Sequence, residues 1–160
     1  ALELAPAHLN RARIAAFALV HDLVEVYAGD AQTLVISPEA QAAKRTREDA
    51  AQARLVAELG EGSWIAETLT TYEEQRLPEA RFVRLVDKIL PKLTHAFNGC
   101  VAAQALTDRE DFERRHARQF QTLAAEYPEF ADTLALLRES MEHAEGQWQS
   151  RHDAIEGGGR

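Results

Sequence analysis

Three ionisable residues interrupt the most apolar stretch of the chain. Ile14 to Ala28 reads I-A-A-F-A-L-V-H-D-L-V-E-V-Y-A; twelve of these fifteen residues are apolar, and the exceptions are His21, Asp22 and Glu25. At about 100° per helical residue, Glu25 falls near both His21, four earlier, and Asp22, three earlier. An imidazole and two carboxylates in one spot suit a divalent cation carrying an activated water. The apolar residues fall on every side of the stretch, so it is expected as a helix buried all round at the centre of a domain. Burying unpartnered carboxylates costs several kcal/mol, a sizeable part of a domain's ~5–15 kcal/mol stability, so something must compensate them. A metal ion is one compensation. A hydrogen-bonded network is the other, and it is the commoner fate of a buried histidine. On this stretch alone both readings stand.

A second carboxylate in an unexpected place is Asp87. From Pro78 to Phe97, Phe82, Val86, Ile89 and Leu93 form an apolar stripe at helical spacing, which Val83 and Leu90 extend. Arg81, Arg84, Lys88 and Lys92 line up as its wet face. Asp87 lies between Val83 and Leu90, on the apolar side and away from the basic stripe. Pairing with a neighbouring Lys or Arg is its plain alternative. Pro91 cannot donate to the carbonyl of Asp87, so a bend is expected there. Two apolar helices, far apart in sequence, thus each carry carboxylates on a face expected to be dry. The economical explanation is that they face each other across a metal, with His21, Asp22 and Asp87 offering one nitrogen and two oxygens. Glu25 and Asp30 would then orient or deprotonate a bound water.

The remaining elements read as helices. Pro6 to Asn10 opens the first, and Gly29 closes it by tolerating the left-handed conformation, leaving Asp30 on a loop. Thr33 to Ile36 is β-prone but too short for a sheet. Ser37-Pro38-Glu39 opens a helix to about Leu59, whose first half is polar. Gly60 and Gly62 bracket the next break, and Ser63 caps a helix in which Trp64 and Tyr72 are expected in the core. Asn98-Gly99 is a turn, and Thr107-x-x-Glu110 reads as a capping box for a helix to about Glu126. The last helix, from about Glu129 to His152, packs through Phe130, Leu134, Leu137, Met141 and Trp148. His95, His116, His143 and His152 have no partner at ligand spacing. The fold class is all-α: one domain over residues 1–152, followed by a flexible glycine-rich tail over 153–160.

Bulk properties exclude some functions. With 26 acidic and 18 basic residues the formal charge is −8, which opposes binding of a long nucleic acid but not of a single nucleotide. Cys100 is the single cysteine, so no intramolecular disulfide forms and nothing points to an oxidising compartment. No apolar run approaches the ~20 residues that span a bilayer. The expected location is cytoplasmic.

The motif A-L-V-H-D-L-V-E-V-Y-A-G-D, followed further on by Y-E-E-Q-R-L-P-E-A-R-F-V-R-L-V-D-K, resembles the HD-domain metal-dependent phosphohydrolases. The closest branch is the one containing the bacterial 5′-deoxynucleotidase and its eukaryotic relatives. The resemblance is good from Arg11 to Leu93; beyond that it is one of helical length only. It implies a helical bundle and a divalent ion (Mn, Co, Mg, Fe or Zn) held by a His, the His-Asp pair and a distant Asp. The matching positions are His21, Asp22 and Asp87. The branch's catalytic Glu matches Glu25 and its Gly-Asp acid matches Asp30. The implied reaction is hydrolysis of the phosphomonoester of a deoxynucleoside 5′-monophosphate by a homodimer. One departure stands out: the branch's first His ligand lies some thirty residues before the His-Asp pair, whereas only twenty residues precede His21 here, and His8 matches no ligand position. The expectation is a preceding helix that this chain does not carry. The competing expectation is a metal-free HD module serving as a binding or scaffold protein. Alarmone hydrolases carry Glu-Asp where Glu25-Val26 stands here, and the triphosphohydrolases are longer chains.

Overall fold

Asn10 starts the first helix because its short side chain can reach the exposed N–H groups of the opening turn. Its Oδ1 accepts from the backbone of Ala12 at 3.0 Å and Arg13 at 3.2 Å. Helix α1 then spans Arg11–Val20. In this computed structural model, residues 1–29, 38–60, 62–100 and 107–157 are described. Asp30, the β-prone piece from Thr33 to Ile36 and the cap at Ser37 lie outside the described residues, as do 158–160.

The expected continuous helix from Ile14 to Ala28 is two pieces. After Val20 the chain turns through His21–Val24, with Leu23 N–H donating to Val20 and Glu25 N–H to Asp22, each three residues back. A four-residue helix α2, Glu25–Ala28, follows and ends at Gly29 with φ of 75°. The stretch is not buried all round: Ile14, Phe17, Val20 and Val24 are buried, whereas Leu19 and Val26 are 72% and 67% exposed. For Val26 the turn is the physical reason, since it rotates the residues after Val20 off the helical phase that their hydrophobicity suggested; Leu19, still within α1, points about 160° away from the buried Phe17.

Helices α3 (Pro38–Leu59), α4 (Trp64–Glu73) and α5 (Pro78–Phe97) begin where their prolines and Ser63 mark them. Ser63 Oγ accepts from the Ala66 N–H at 3.4 Å. Trp64 is 57% exposed, contrary to the core position expected of it, because it is the first residue of α4 and stands at the helix end. Tyr72, two turns on, is buried. Helix α6 spans Arg109–Glu126, a 3₁₀ turn covers Pro128–Phe130, and α7 runs Ala131–Gly157, beyond the His152 end expected from sequence. The N-cap of α6 is Asp108 rather than Thr107: Asp108 Oδ1 accepts from Asp111 N–H at 2.8 Å, while the Thr107 hydroxyl donates to the Asp111 carboxylate at 2.7 Å. The described residues are all-α.

By internal packing the chain divides into two units, Ala1–Val83 and Arg84–Arg160, and the division falls inside α5. In the first, α1 packs on α4, and α3 packs on both α2 and α4. Phe17 and Tyr72 meet at 5.9 Å between ring centroids. Tyr27 fastens α2 to α3: its hydroxyl donates to Glu58 at 2.5 Å and the Arg54 guanidinium lies 3.7 Å over its ring. The Glu58 carboxyl is held below its usual range by the Tyr27 and Arg54 bonds. In the second unit, α6 packs on α7. Cys100, Phe112, Ala144 and Trp148 form a buried cluster, and the Cys100 thiol donates to the Ala144 carbonyl at 3.1 Å. Leu134, Leu137, Met141 and Trp148 are buried as expected, so their face of α7 is used within the chain.

On α5 the expected stripes need two corrections. Phe82, Val83, Leu85, Val86 and Ile89 are buried, but Leu90 is 50% exposed. Lys92 is not on the wet face; it is buried, and desolvation lowers its pKa. Lys92 points within about 20° of Arg81, and its neighbours three and seven residues back on the helix, Ile89 and Leu85, are both buried. Lys88 pairs with Glu126 at 3.2 Å and sits 3.3 Å from the Tyr127 hydroxyl. The helix continues through Pro91.

Candidate metal centre

His21 stands at the C-cap of α1, where the last carbonyls lack helical donors. Its Nδ1 donates to the Ala18 carbonyl at 2.9 Å. That bond settles the tautomer: Nε2 is left to face the site, in the manner of metal-ligating histidines whose other nitrogen is held by a backbone carbonyl. Nε2 lies 3.1 Å from Asp22 Oδ2. Two lone pairs at this separation repel unless a proton or a metal ion stands between them. Tyr72 meets the His21 ring edge-on at 6.5 Å, so the imidazole is held by α4 as well as by its own helix.

Asp87 supplies the third donor. It lies on α5, nine residues after Pro78. Among the described residues, His21, Asp22 and Asp87 each offer one ligand atom, and these atoms lie within 4.8 Å of one another. Bonds of about 2.0–2.2 Å place ligands of a single ion within about 4.4 Å of each other, so this grouping is near what one ion needs. One nitrogen and two carboxylate oxygens fit a first-row divalent ion.

The three side chains are not equally buried. Asp22 has a side chain 61% exposed, because it lies in the turn after Val20 rather than inside a helix. The His21 side chain is 22% exposed, and Asp87 is half-buried. What unites these residues is their convergence. Glu25 is half-buried, one turn of chain beyond Asp22, and is not in the group whose ligand atoms converge. Asp30 is outside the described residues.

Two contacts of the elements around the site were missed from the sequence. The Ala18 carbonyl had a signal: it is the i−3 acceptor that a histidine closing a helix finds free, legible once the helix end is known. Glu79 had a weaker one. It is buried at 6% exposure, its Oε1 accepts from the Asn10 N–H at 3.1 Å, and it is an acid in the first turn of α5.

The family model for the HD domain matches residues 1–130 of the 160. The chain therefore belongs to the HD-domain family, whose members are generally metal-dependent phosphohydrolases. No curated protein and no solved structure matches the chain. Among the described residues, no helix is long and apolar enough to cross a membrane.

Proposed function

We propose that this HD-domain chain is a divalent-metal phosphohydrolase that cleaves the phosphomonoester of deoxynucleoside and related nucleoside 5′-monophosphates. The observation that carries the reading is the convergence of His21, Asp22 and Asp87, with His21 Nδ1 tied to Ala18 so that Nε2 is presented. These three side chains would hold the ion. When bound, a divalent ion supplies Lewis acidity toward a phosphoryl oxygen and lowers the pKa of a coordinated water. Glu25 and Asp30 would orient a water for attack on phosphorus and take its proton. The new P–O bond forms as the bond to the 5′-oxygen breaks, and inorganic phosphate leaves with the nucleoside as co-product. The narrower choice of substrate rests on the His-Asp-x-x-Glu-x-x-x-Gly-Asp and Pro-Glu-Ala-Arg-Phe-Val-x-x-x-Asp-Lys motifs. We read residues 1–152 as one such domain, cytoplasmic and homodimeric.

The test is phosphate release, with Mn²⁺ or Co²⁺ present, from a panel of nucleoside 5′-monophosphates, 3′-monophosphates and 5′-triphosphates. The reading expects inorganic phosphate from the 5′-monophosphates. Release from none of them, or from triphosphates alone, overturns it, and the first of these outcomes favours the metal-free binding module.

A further inference from the structure

We propose that Tyr27 is a positioning residue for Glu25: by bonding to Glu58 and lying under Arg54, it fastens the short helix α2 to α3 and fixes the direction in which the Glu25 carboxylate points. These residues all lie in the unit Ala1–Val83, as do His21 and Asp22. The inference rests on the reading of Glu25 as the group that takes the proton of the attacking water.

Helix α2 needs outside support. It is the four residues Glu25–Ala28. A single helical turn is unstable alone, because several residues must be ordered before the first hydrogen bond forms. Neither capping nor burial compensates: Val24 at the N-cap makes no side-chain bond, and no residue of α2 is buried. Its packing is against α3. There the Tyr27 hydroxyl donates to Glu58 Oε2 at 2.5 Å, thirty-one residues away. The other oxygen of Glu58 accepts from Arg54 Nε at 2.8 Å, and the Arg54 guanidinium lies 3.7 Å over the Tyr27 ring. Each of the three side chains thus touches the other two. The bond to Glu58 also holds the Tyr27 phenol above its ordinary range, so the hydroxyl remains a donor at neutral pH.

Arg54 and Glu58 are exposed, and exposed pairs add little to the stability of a whole domain. Their effect is local: they set the rotation of α2 about its own axis. Side chains two residues apart on a helix point about 160° apart. With Tyr27 laid against α3, Glu25 therefore projects from the opposite side of α2. Loss of the hydroxyl bond frees that rotation, and Glu25 loses its aim. His21 keeps its own, because it is held by the Ala18 carbonyl and the Tyr72 ring and not by α3.

The test has two readouts. In metal-free protein, hydrogen exchange followed by mass spectrometry is expected to be at least about fivefold faster over the α2 amides in Tyr27→Phe than in wild type, and unchanged over α4. In Mn²⁺-loaded protein, phosphate release from a deoxynucleoside 5′-monophosphate is measured for wild type, Tyr27→Phe, Glu25→Gln and the double variant. Tyr27→Phe keeps the ring and removes the hydroxyl. It is expected to lower kcat about ten- to a hundredfold, as a small misplacement of a reacting group does, with KM and bound Mn²⁺ near wild type. In the Glu25→Gln background the same change is expected to leave kcat unmoved, since no base remains to be aimed. If Tyr27→Phe does not fold, Glu58→Ala removes the same bond from the α3 side and carries the comparison. Wild-type exchange over α2, wild-type kcat, or an equal loss of kcat with and without Glu25 overturns the positioning role. No phosphate release from wild type, or wild-type kcat in Glu25→Gln, overturns the reading on which the role rests.

Discussion

A histidine that closes a helix meets a free carbonyl one turn back, and His21 uses it. Its Nδ1 is committed to Ala18 and Nε2 is turned toward Asp22. Glu25 differs in kind: it follows the turn, stands apart from the converging ligand atoms and is suited to handling a proton. Glu25→Gln removes the base while leaving all three ligands. It is expected to retain bound metal and to lower kcat for phosphate release by about 10²–10⁴-fold, measured by steady-state kinetics beside elemental analysis. An unchanged kcat would remove Glu25 from the reaction. At this scale the identity of the candidate ligands was legible, because His21, Asp22 and Glu25 are the only carboxylate or imidazole side chains in fifteen residues. The reason first given for them was only partly right. Asp22 is exposed, and nothing in the sequence marks the turn that exposes it, since no Gly or Pro lies between Ile14 and Ala28.

Elements were most legible where proline or a capping hydroxyl begins them. Helices α3, α4 and α5 start after Ser37, at the Ser63 cap and at Pro78, as their sequences suggest. The start of α6 was misread by one residue, because Thr107 and Asp108 can both cap and only the geometry decides which does. That start also carries a pH dependence. The Asp111 carboxyl is pulled down to about 2, first by the Thr107 hydroxyl and then by Arg115 and Arg114. A depressed carboxyl adds stability that is present above its ordinary pKa of 3.8 and is lost as pH falls through about 2. Asp111→Asn is expected to lower Tm at neutral pH and to flatten the fall in Tm between pH 4 and pH 2, read by circular dichroism melts. A variant curve parallel to wild type through that window would show that Asp111 contributes nothing. Lys92 illustrates the limit of stripe reading on a long helix: it lies only about 20° from Arg81 in helical phase and is nevertheless buried, because burial is set by what packs on that turn and not by phase alone.

At the scale of the whole chain, composition carries less. The division at Val83–Arg84 falls in mid-helix, with no glycine near it and no proline between Pro78 and Pro91, so nothing in the sequence announces it. The formal charge of −8 limits the partners without naming one. The family match reaches residue 130, and α7 continues to Gly157, its buried face closing on Phe112 and Cys100. The central claim of this account is that His21, Asp22 and Asp87 hold one divalent ion. Elemental analysis of protein purified without chelator tests that most directly, with His21→Ala and Asp87→Asn prepared in parallel. The account predicts close to one equivalent of a divalent transition metal in the wild type and little in either variant. No metal in the wild type even after Mn²⁺ or Co²⁺ is supplied, or equal metal in all three proteins, would contradict it.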